Sequence, residues 1–158
     1  MGIMEFILTV NRGLNKQQVF IDPSPEIIEE AIDGIIPADF YFAILEKSER
    51  PVDDFWYIQA AMFPCGYDAE DEYYEAGYYA EINYLNAGGF EHYRLESSDA
   101  GEVKRLFSMF SQGVAPDISN WVNITDEIKS LPDADTQMRE LKERNRLRDG
   151  LGSAGTLR

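Results

Sequence analysis

The sequence predicts an α+β fold: an antiparallel sheet of about six strands with two helices packed on it. Several short segments alternate apolar and polar residues with a period of two, which is typical of strands. Two other segments place apolar residues at helical spacing between a capping residue and a glycine. Most links between the strands are too short for the crossover that a parallel pair requires. The chain of 158 residues, 44% of them apolar, is long enough for one core.

The strands follow from their apolar patterns. In chain order they are EFILTV, QQVFI, FYFAILEK, FWYIQAAMF, GYYAEINYL and FEHYRLE. The third and fourth are apolar on both faces, which suits central strands. In the last strand we expect Tyr93 and Leu95 to face the core while His92 and Arg94 face outward. The turn NAGG before this strand predicts a hairpin with the strand that precedes it.

Two helices are expected after the second and the last of these strands. Ser24 can cap the first helix, with Pro25 at its first position and Gly34 at its end. Asp99 can cap the second helix, which is expected to end at Gly113. Each helix has one apolar stripe that needs an apolar surface to cover, so both are expected to pack on the sheet.

The domain prediction places one α+β domain over residues 1–132 and a charged helix with a flexible tail over residues 133–158. Residues 133–148 are rich in charge and hold few apolar side chains. The GLGSAG segment beyond them has the spacing of a dinucleotide-binding fingerprint, but that motif must follow a strand and open a helix. We therefore interpret it as a flexible glycine and serine tail.

Charge is distributed unevenly along the chain. The 29 acidic and 14 basic residues give a net charge of −15, with −18 in residues 1–136 and +3 in residues 137–158. An acidic body repels nucleic acid and anionic membranes, so neither is expected as a partner, whereas it speeds encounter with a basic protein. The basic end could form an RNA-binding arm, but its interleaved glutamates favour a solvated helix or one docked on the body.

A cytoplasmic location and a non-enzymatic role are expected. The first apolar run has no basic segment ahead of it and is too short to span a membrane. Cys65, the only cysteine, excludes an internal disulfide, and nearby acids disfavour its thiolate. His92 follows Glu91, but neighbours on a strand point to opposite faces, so Glu91 cannot orient it. We expect an inert cysteine, a surface histidine and no catalytic residue.

Residues 68–79 begin like a calcium-binding loop, with Asp68, Glu70 and Glu72 at the first, third and fifth positions. The sixth position of such a loop requires glycine and here holds Tyr73, and the twelfth requires glutamate and holds Tyr79. Because spacing decides coordination, we predict no metal site on this loop and no cofactor for the protein.

The strongest candidate for a binding surface is the stretch YDAEDEYYEAGYYAE at residues 67–81, which contains no basic residue. Rigid tyrosine rings supply contact area at protein interfaces, and carboxylates supply charge complementarity to a basic partner. The alternative is a solvated, negatively charged loop. The predicted partner-binding residues are Asp68, Glu70, Asp71, Glu72, Tyr73, Tyr74 and Glu75.

The order of elements, with Gly113, Pro116 and Trp121 in DAGEVKRLFSMFSQGVAPDISNW, resembles that of the small immunity proteins of bacterial polymorphic and contact-dependent toxin systems. The resemblance covers residues 5–125 in element order. It implies a cytoplasmic bacterial protein without enzyme activity that binds and neutralises one cognate toxin, whose surface would be basic. Two other hypotheses stay open: a carboxylate-based enzyme of unknown class, and an acidic accessory domain that mimics DNA. The sequence indicates no oligomeric state.

Overall fold

A computed structural model describes residues 5–11, 16–36, 42–63, 66–67, 69–74 and 76–129. The chain divides into two compact units, residues 1–125 and residues 126–158. Of the second unit only residues 126–129 are described. The predicted charged helix and tail over residues 133–158 therefore lie outside the described residues, as does the predicted domain end at residue 132.

Within the described residues, one antiparallel sheet of seven strands has the order β2-β1-β3-β4-β7-β8-β9. Its strands are β1 (Phe6–Asn11), β2 (Gln17–Ile21), β3 (Phe42–Lys47), β4 (Asp54–Phe63), β7 (Gly77–Asn86), β8 (Gly89–Ser97) and β9 (Val122–Asn123). The short strands β5 (Gly66–Tyr67) and β6 (Tyr73–Tyr74) pair separately. The helices are α1 (Pro25–Asp33), α2 (Ala100–Ser111) and α3 (Thr125–Lys129). The predicted α+β architecture is confirmed, with the short strands β5, β6 and β9 and the short helix α3 in addition.

The core lies between one face of the sheet and the helices α1 and α2. The register aligns Leu8, Leu45, Ile58 and Ile82 across the strands β1, β3, β4 and β7. All four side chains are fully buried. Apolar residues of both helices belong to the same cluster, and the rings of Phe6 and Phe110 meet edge to face at 5.7 Å. This is the arrangement that the apolar stripes of the helices predict.

The predicted helix starts are confirmed by their caps. The Ser24 hydroxyl accepts a hydrogen bond from the Ile27 backbone N–H at 3.3 Å, and Asp99 accepts one from the Gly101 N–H at 2.9 Å. Gly113 follows the second helix with φ of 78°, a left-handed conformation that glycine adopts without strain. None of the helices in the described part of the chain is long and apolar enough to cross a bilayer.

A bulge in β4 places the rings of Phe55 and Tyr57 on opposite faces of the sheet. Phe55 pairs with Tyr84 and Tyr57 pairs with Asn83, so the register shifts by one residue at Trp56. Regular alternation would place Phe55 and Tyr57 on the same face, because they are two residues apart. The bulge instead directs Phe55 towards the helices and Tyr57 towards the opposite face, which we call the second face.

Candidate functional site

The residues 69–72, which we call the acidic turn, lie between the paired strands β5 and β6. Gly66 pairs with Tyr74 and Tyr67 with Tyr73, so the chain reverses over the residues between them. All four residues of the acidic turn are exposed. Asp71 has φ of 61°, a left-handed conformation that aspartate tolerates better than most residues other than glycine. The turn thus presents a compact group of carboxylates to solvent.

Of the seven predicted contact residues, three have described side chains, and the structure brings these three together. Glu70, Asp71 and Glu72 are exposed and consecutive on the acidic turn. Asp68 and Glu75 lie outside the described residues. Of Tyr73 and Tyr74 only the backbone, in β6, is described.

The two tyrosines at the start of β7 have different surroundings. Tyr78 is 5% exposed and belongs to the core. Tyr79 lies on the second face, half-buried, with the Arg94 guanidinium 4.6 Å from its ring centroid. Adjacent residues of a strand point to opposite faces, so only one tyrosine of this pair can enter the core.

The second face carries a buried polar network that the sequence did not predict. His92 is 1% exposed, and its Nε2 atom lies 2.8 Å from Oε1 of Glu81. The expected outward side of β8 is therefore right for His92, but the expectation of a surface histidine is wrong. The partner is not the neighbouring Glu91 but a residue of β7, which the register places diagonally opposite.

Glu81 is the centre of this network. Its Oε1 also accepts from Nε2 of Gln59 at 3.1 Å, and its Oε2 accepts from Nε of Arg94 at 2.9 Å. Burial alone would raise the pKa of Glu81, but hydrogen bonds and charge from His92 and Arg94 hold the pKa below its usual value. The carboxylate is thus ionised and surrounded by donors.

Hydrogen bonds engage both nitrogens of the His92 ring. An ionised carboxylate only accepts, so Nε2 donates to Glu81. Nδ1 of His92 lies 3.2 Å from Nδ2 of Asn83, within hydrogen-bond distance of the side-chain amide. Asn83 is 5% exposed, and its Oδ1 has no hydrogen-bond partner among the described residues. Both ring nitrogens of His92 are therefore engaged.

Tyr57 borders the same network. Its ring lies 6.0 Å from the His92 ring, at an angle of 55°. Burial, together with the charges of Glu81 and Glu46, raises the pKa of Tyr57 to about 12. Burial also raises the pKa of Glu46. These shifts describe a poorly hydrated region that favours neutral groups beside one paired carboxylate.

A small cavity lies beside the end of α2, on the helix side of the sheet. It is lined by Lys47, Asp54, Phe55, Phe110 and residues 113–115, and its volume is about 20 Å³. Nζ of Lys47 lies 2.9 Å from Oδ2 of Asp54 and 5.7 Å from the centre of the Phe110 ring. A cavity of this size has room for roughly one water molecule and is far smaller than a ligand pocket.

Metal coordination has no support in the described part of the chain. There, no group of three or more histidine, cysteine, aspartate or glutamate side chains is placed to hold a metal ion. Asp68, at the first position of the calcium-loop pattern, is outside the described residues. Glu70 and Glu72 are exposed on the acidic turn.

The functional hypothesis for this chain is based on its residues and their geometry. The acidic turn and the buried network are the two features of the described chain that concentrate charge. No protein-family model, no curated protein and no solved structure matches the chain.

Proposed function

We propose that this protein is an inhibitor of the immunity class, which binds one cognate toxin and blocks its action. In this proposal the contact surface is the acidic turn together with the adjoining Asp68, Tyr73, Tyr74 and Glu75. The observation that carries it is the exposure of Glu70, Asp71 and Glu72 side by side on a turn held by two paired strands. Alternatives are a carboxylate-based enzyme and a domain that mimics DNA.

The charge of the chain supports a basic partner. Three adjacent carboxylates belong to a chain of net charge −15, which attracts a positively charged surface over distances comparable with the Debye length. A toxin that acts on nucleic acid has a basic cleft for its substrate, and an acidic surface is complementary to that cleft. Occlusion of the cleft is the proposed mechanism.

The buried network supports a structural role for His92 in place of a catalytic one. Its two ring nitrogens bond to Glu81 and Asn83, and its side chain is 1% exposed. A general base must reach the proton that it abstracts, either directly or through one water molecule. In this arrangement a substrate could not meet the imidazole unless the sheet opened.

The test begins with capture of partners on the immobilised protein, followed by a growth assay of each captured protein. The proposal expects one partner that stops bacterial growth when expressed alone and is harmless when expressed with this protein. Absence of any such partner would reject the immunity class. Release of several unrelated DNA-binding proteins by duplex DNA would favour the DNA mimic instead.

The surface is tested by a charge-neutral variant of the acidic turn, Glu70→Gln with Asp71→Asn and Glu72→Gln. Asparagine at position 71 tolerates the left-handed backbone there, so the turn is preserved. We expect association with the toxin to slow by roughly tenfold at low salt, with a smaller loss at high salt. The matched control neutralises the exposed glutamates Glu29, Glu30 and Glu49. Equal association rates for the two variants would show that the acidic turn is not part of the interface.

A further inference from the structure

The strand β2 forms one edge of the sheet and is unusually exposed and uncharged for this chain. Its sequence is QQVFI, and its burial pattern shows a single half-buried position. Val19 is 55% exposed and Ile21 is 65% exposed. Edge strands of stable monomers are commonly protected by a charge, a proline or a bulge within the strand. None of these occurs between Gln17 and Ile21.

The hydrogen bonds near the end of the strand show which backbone groups of β2 point away from β1. The Asp22 N–H donates to the Phe6 carbonyl at 2.7 Å, and the Phe6 N–H donates to Oδ1 of Asp22 at 2.9 Å. Pairs of an antiparallel ladder alternate between bonded and non-bonded, so the even-numbered residues of β2 bond to β1. The N–H and C=O groups of Gln17, Val19 and Ile21 therefore face outward.

We infer that β2 pairs with the β2 strand of a second copy of this chain, antiparallel and with Val19 on the two-fold axis. In this register Val19 faces Val19, and Gln17 faces Ile21. All three outward-facing residues of each copy then form bonded pairs, as an antiparallel ladder requires. The register places Lys16 of each copy beside Asp22 of the other, one oxygen of which already accepts from the Phe6 N–H of its own chain. The segment KQQVFID is thus complementary to itself in hydrogen bonding and in charge.

The geometry of the pair follows from the register. Directly opposite residues in an antiparallel ladder share a face, so the exposed Val19 and Ile21 side chains of both copies meet on the second face. The helices of both copies then lie on the other side of one continuous sheet of fourteen strands, twice the seven of one chain. A contact through one short strand is small, so we expect a dissociation constant in roughly the micromolar range.

Salt separates this contact from an interface with a basic partner. Two copies that each carry −15 repel one another, and this repulsion outweighs the two short-range pairs of Lys16 with Asp22. Added salt screens the repulsion, so self-association should tighten as salt rises, whereas binding of a basic protein weakens. The inference goes beyond the proposed function and is measured on the protein alone.

Sedimentation equilibrium of the full chain, from low micromolar to about 1 mM protein, tests the dimer at low and high salt. The expected result is a monomer–dimer equilibrium that shifts towards dimer with added salt. A monomer at all concentrations, or a dimer that dissociates as salt rises, would overturn the inference. Neither result bears on the toxin assay, because that assay needs no dimer.

Two variants place the contact on β2. Val19→Pro removes an outward N–H that β1 does not use, and proline is accepted at such edge positions. It deletes the two central hydrogen bonds of the dimer and should raise the dissociation constant roughly thirtyfold, equivalent to about 2 kcal/mol. Val19→Glu places two carboxylates face to face and should have a similar effect.

The control for the charge variant is Val52→Glu, because Val52 is 81% exposed at a position outside the strands. It should dimerise like the parent protein. Circular dichroism should show unchanged secondary structure for all three variants. A dissociation constant that Val19→Pro and Val19→Glu both leave at the parent value would exclude the β2 edge as the contact.

Discussion

The imidazole of His92 donates to the carboxylate of Glu81 across a 2.8 Å hydrogen bond between neighbouring strands, deep in the second face of the sheet. Arg94 and Gln59 complete the shell of donors around the same carboxylate. Removing the acceptor from a buried site would leave each donor without a hydrogen bond and would destabilise the fold, because water cannot replace the acceptor. Glu81 thus holds three side chains in place and ties β7 to both of its neighbours.

Replacing Glu81 by glutamine should destabilise the fold by roughly 2–4 kcal/mol. A glutamine side chain has only one acceptor oxygen. Its amide N–H₂ group must therefore lie against the N–H donor of either Arg94 or His92, and two donors cannot bond to each other. Urea unfolding followed by circular dichroism measures the loss. Glu96→Gln is the matched control, since Glu96 is an exposed glutamate on the same face of β8, and it should change stability by no more than about 0.5 kcal/mol.

The same residue predicts a difference at acidic pH. The pKa of Glu81 is lower in the folded protein than its ordinary value of 4.5, so its contribution to stability is complete above that value. It is lost as the pH falls through the lower pKa of the folded state. The stability difference between the parent protein and Glu81→Gln should therefore shrink below pH 4.5. Dilute samples are needed because the isoelectric point is about 4.3. A difference that stays constant with falling pH would contradict the ion pairing.

At alkaline pH the sensitive group is Tyr57. Its pKa rises to about 12 in the folded protein, against 10.0 ordinarily, so the unfolded chain loses this proton first. The stabilising effect is present below pH 10 and is lost as the pH rises towards 12. Tyr57→Phe should show a smaller loss of stability over this interval. In an absorbance titration of the folded protein, the variant should lack one phenol step near 12, and loss of a step near 10 would contradict the burial.

The ion pair of Lys47 with Asp54 should be asymmetric under mutation. The Lys47 side chain is 9% exposed and the Asp54 side chain 53% exposed. Asp54→Asn leaves a nearly buried ammonium without its counter-charge and should cost about 1–2 kcal/mol, whereas Lys47→Met exchanges the buried charge for apolar contact with Phe110 and should be close to neutral. Thermal unfolding compares both with Asp53→Asn, a change at the adjacent exposed aspartate. Equal losses at Lys47 and Asp54 would contradict this view.

Local signals in the sequence were enough to predict most of the fold. The caps Ser24 and Asp99 act on backbone groups within three residues, and strand alternation depends on neighbours two positions away. The strand β9 escaped prediction because two residues are too short to show any period, and its Val122 is 63% exposed. Its pairing with β8 depends on the fold around it.

The buried network was missed because its members are far apart in sequence. Glu91 is the neighbour of His92 in sequence, whereas its hydrogen-bond partner Glu81 is eleven residues away. The two-residue turn at positions 87–88 fixes the register of the hairpin, which places Asn83 opposite His92 and Glu81 opposite Arg94. Counting outward from that turn would have indicated the cluster. Glu70, Asp71 and Glu72 are exposed, since such a density of charge cannot be buried without partners.

Trp56 can be deleted without changing the pairing of its neighbours Phe55 and Tyr57 with β7. Because it is the additional residue of the β4 bulge, a chain lacking it would restore simple alternation, with Phe55 still against Tyr84 and Tyr57 still against Asn83. Such a deletion would remove the contact of the Arg50 guanidinium with the indole ring, 4.9 Å from the ring centroid, and the edge contact of the indole with Tyr57. This end of the central strand can therefore lose a residue without exchanging the environments of its two flanking rings.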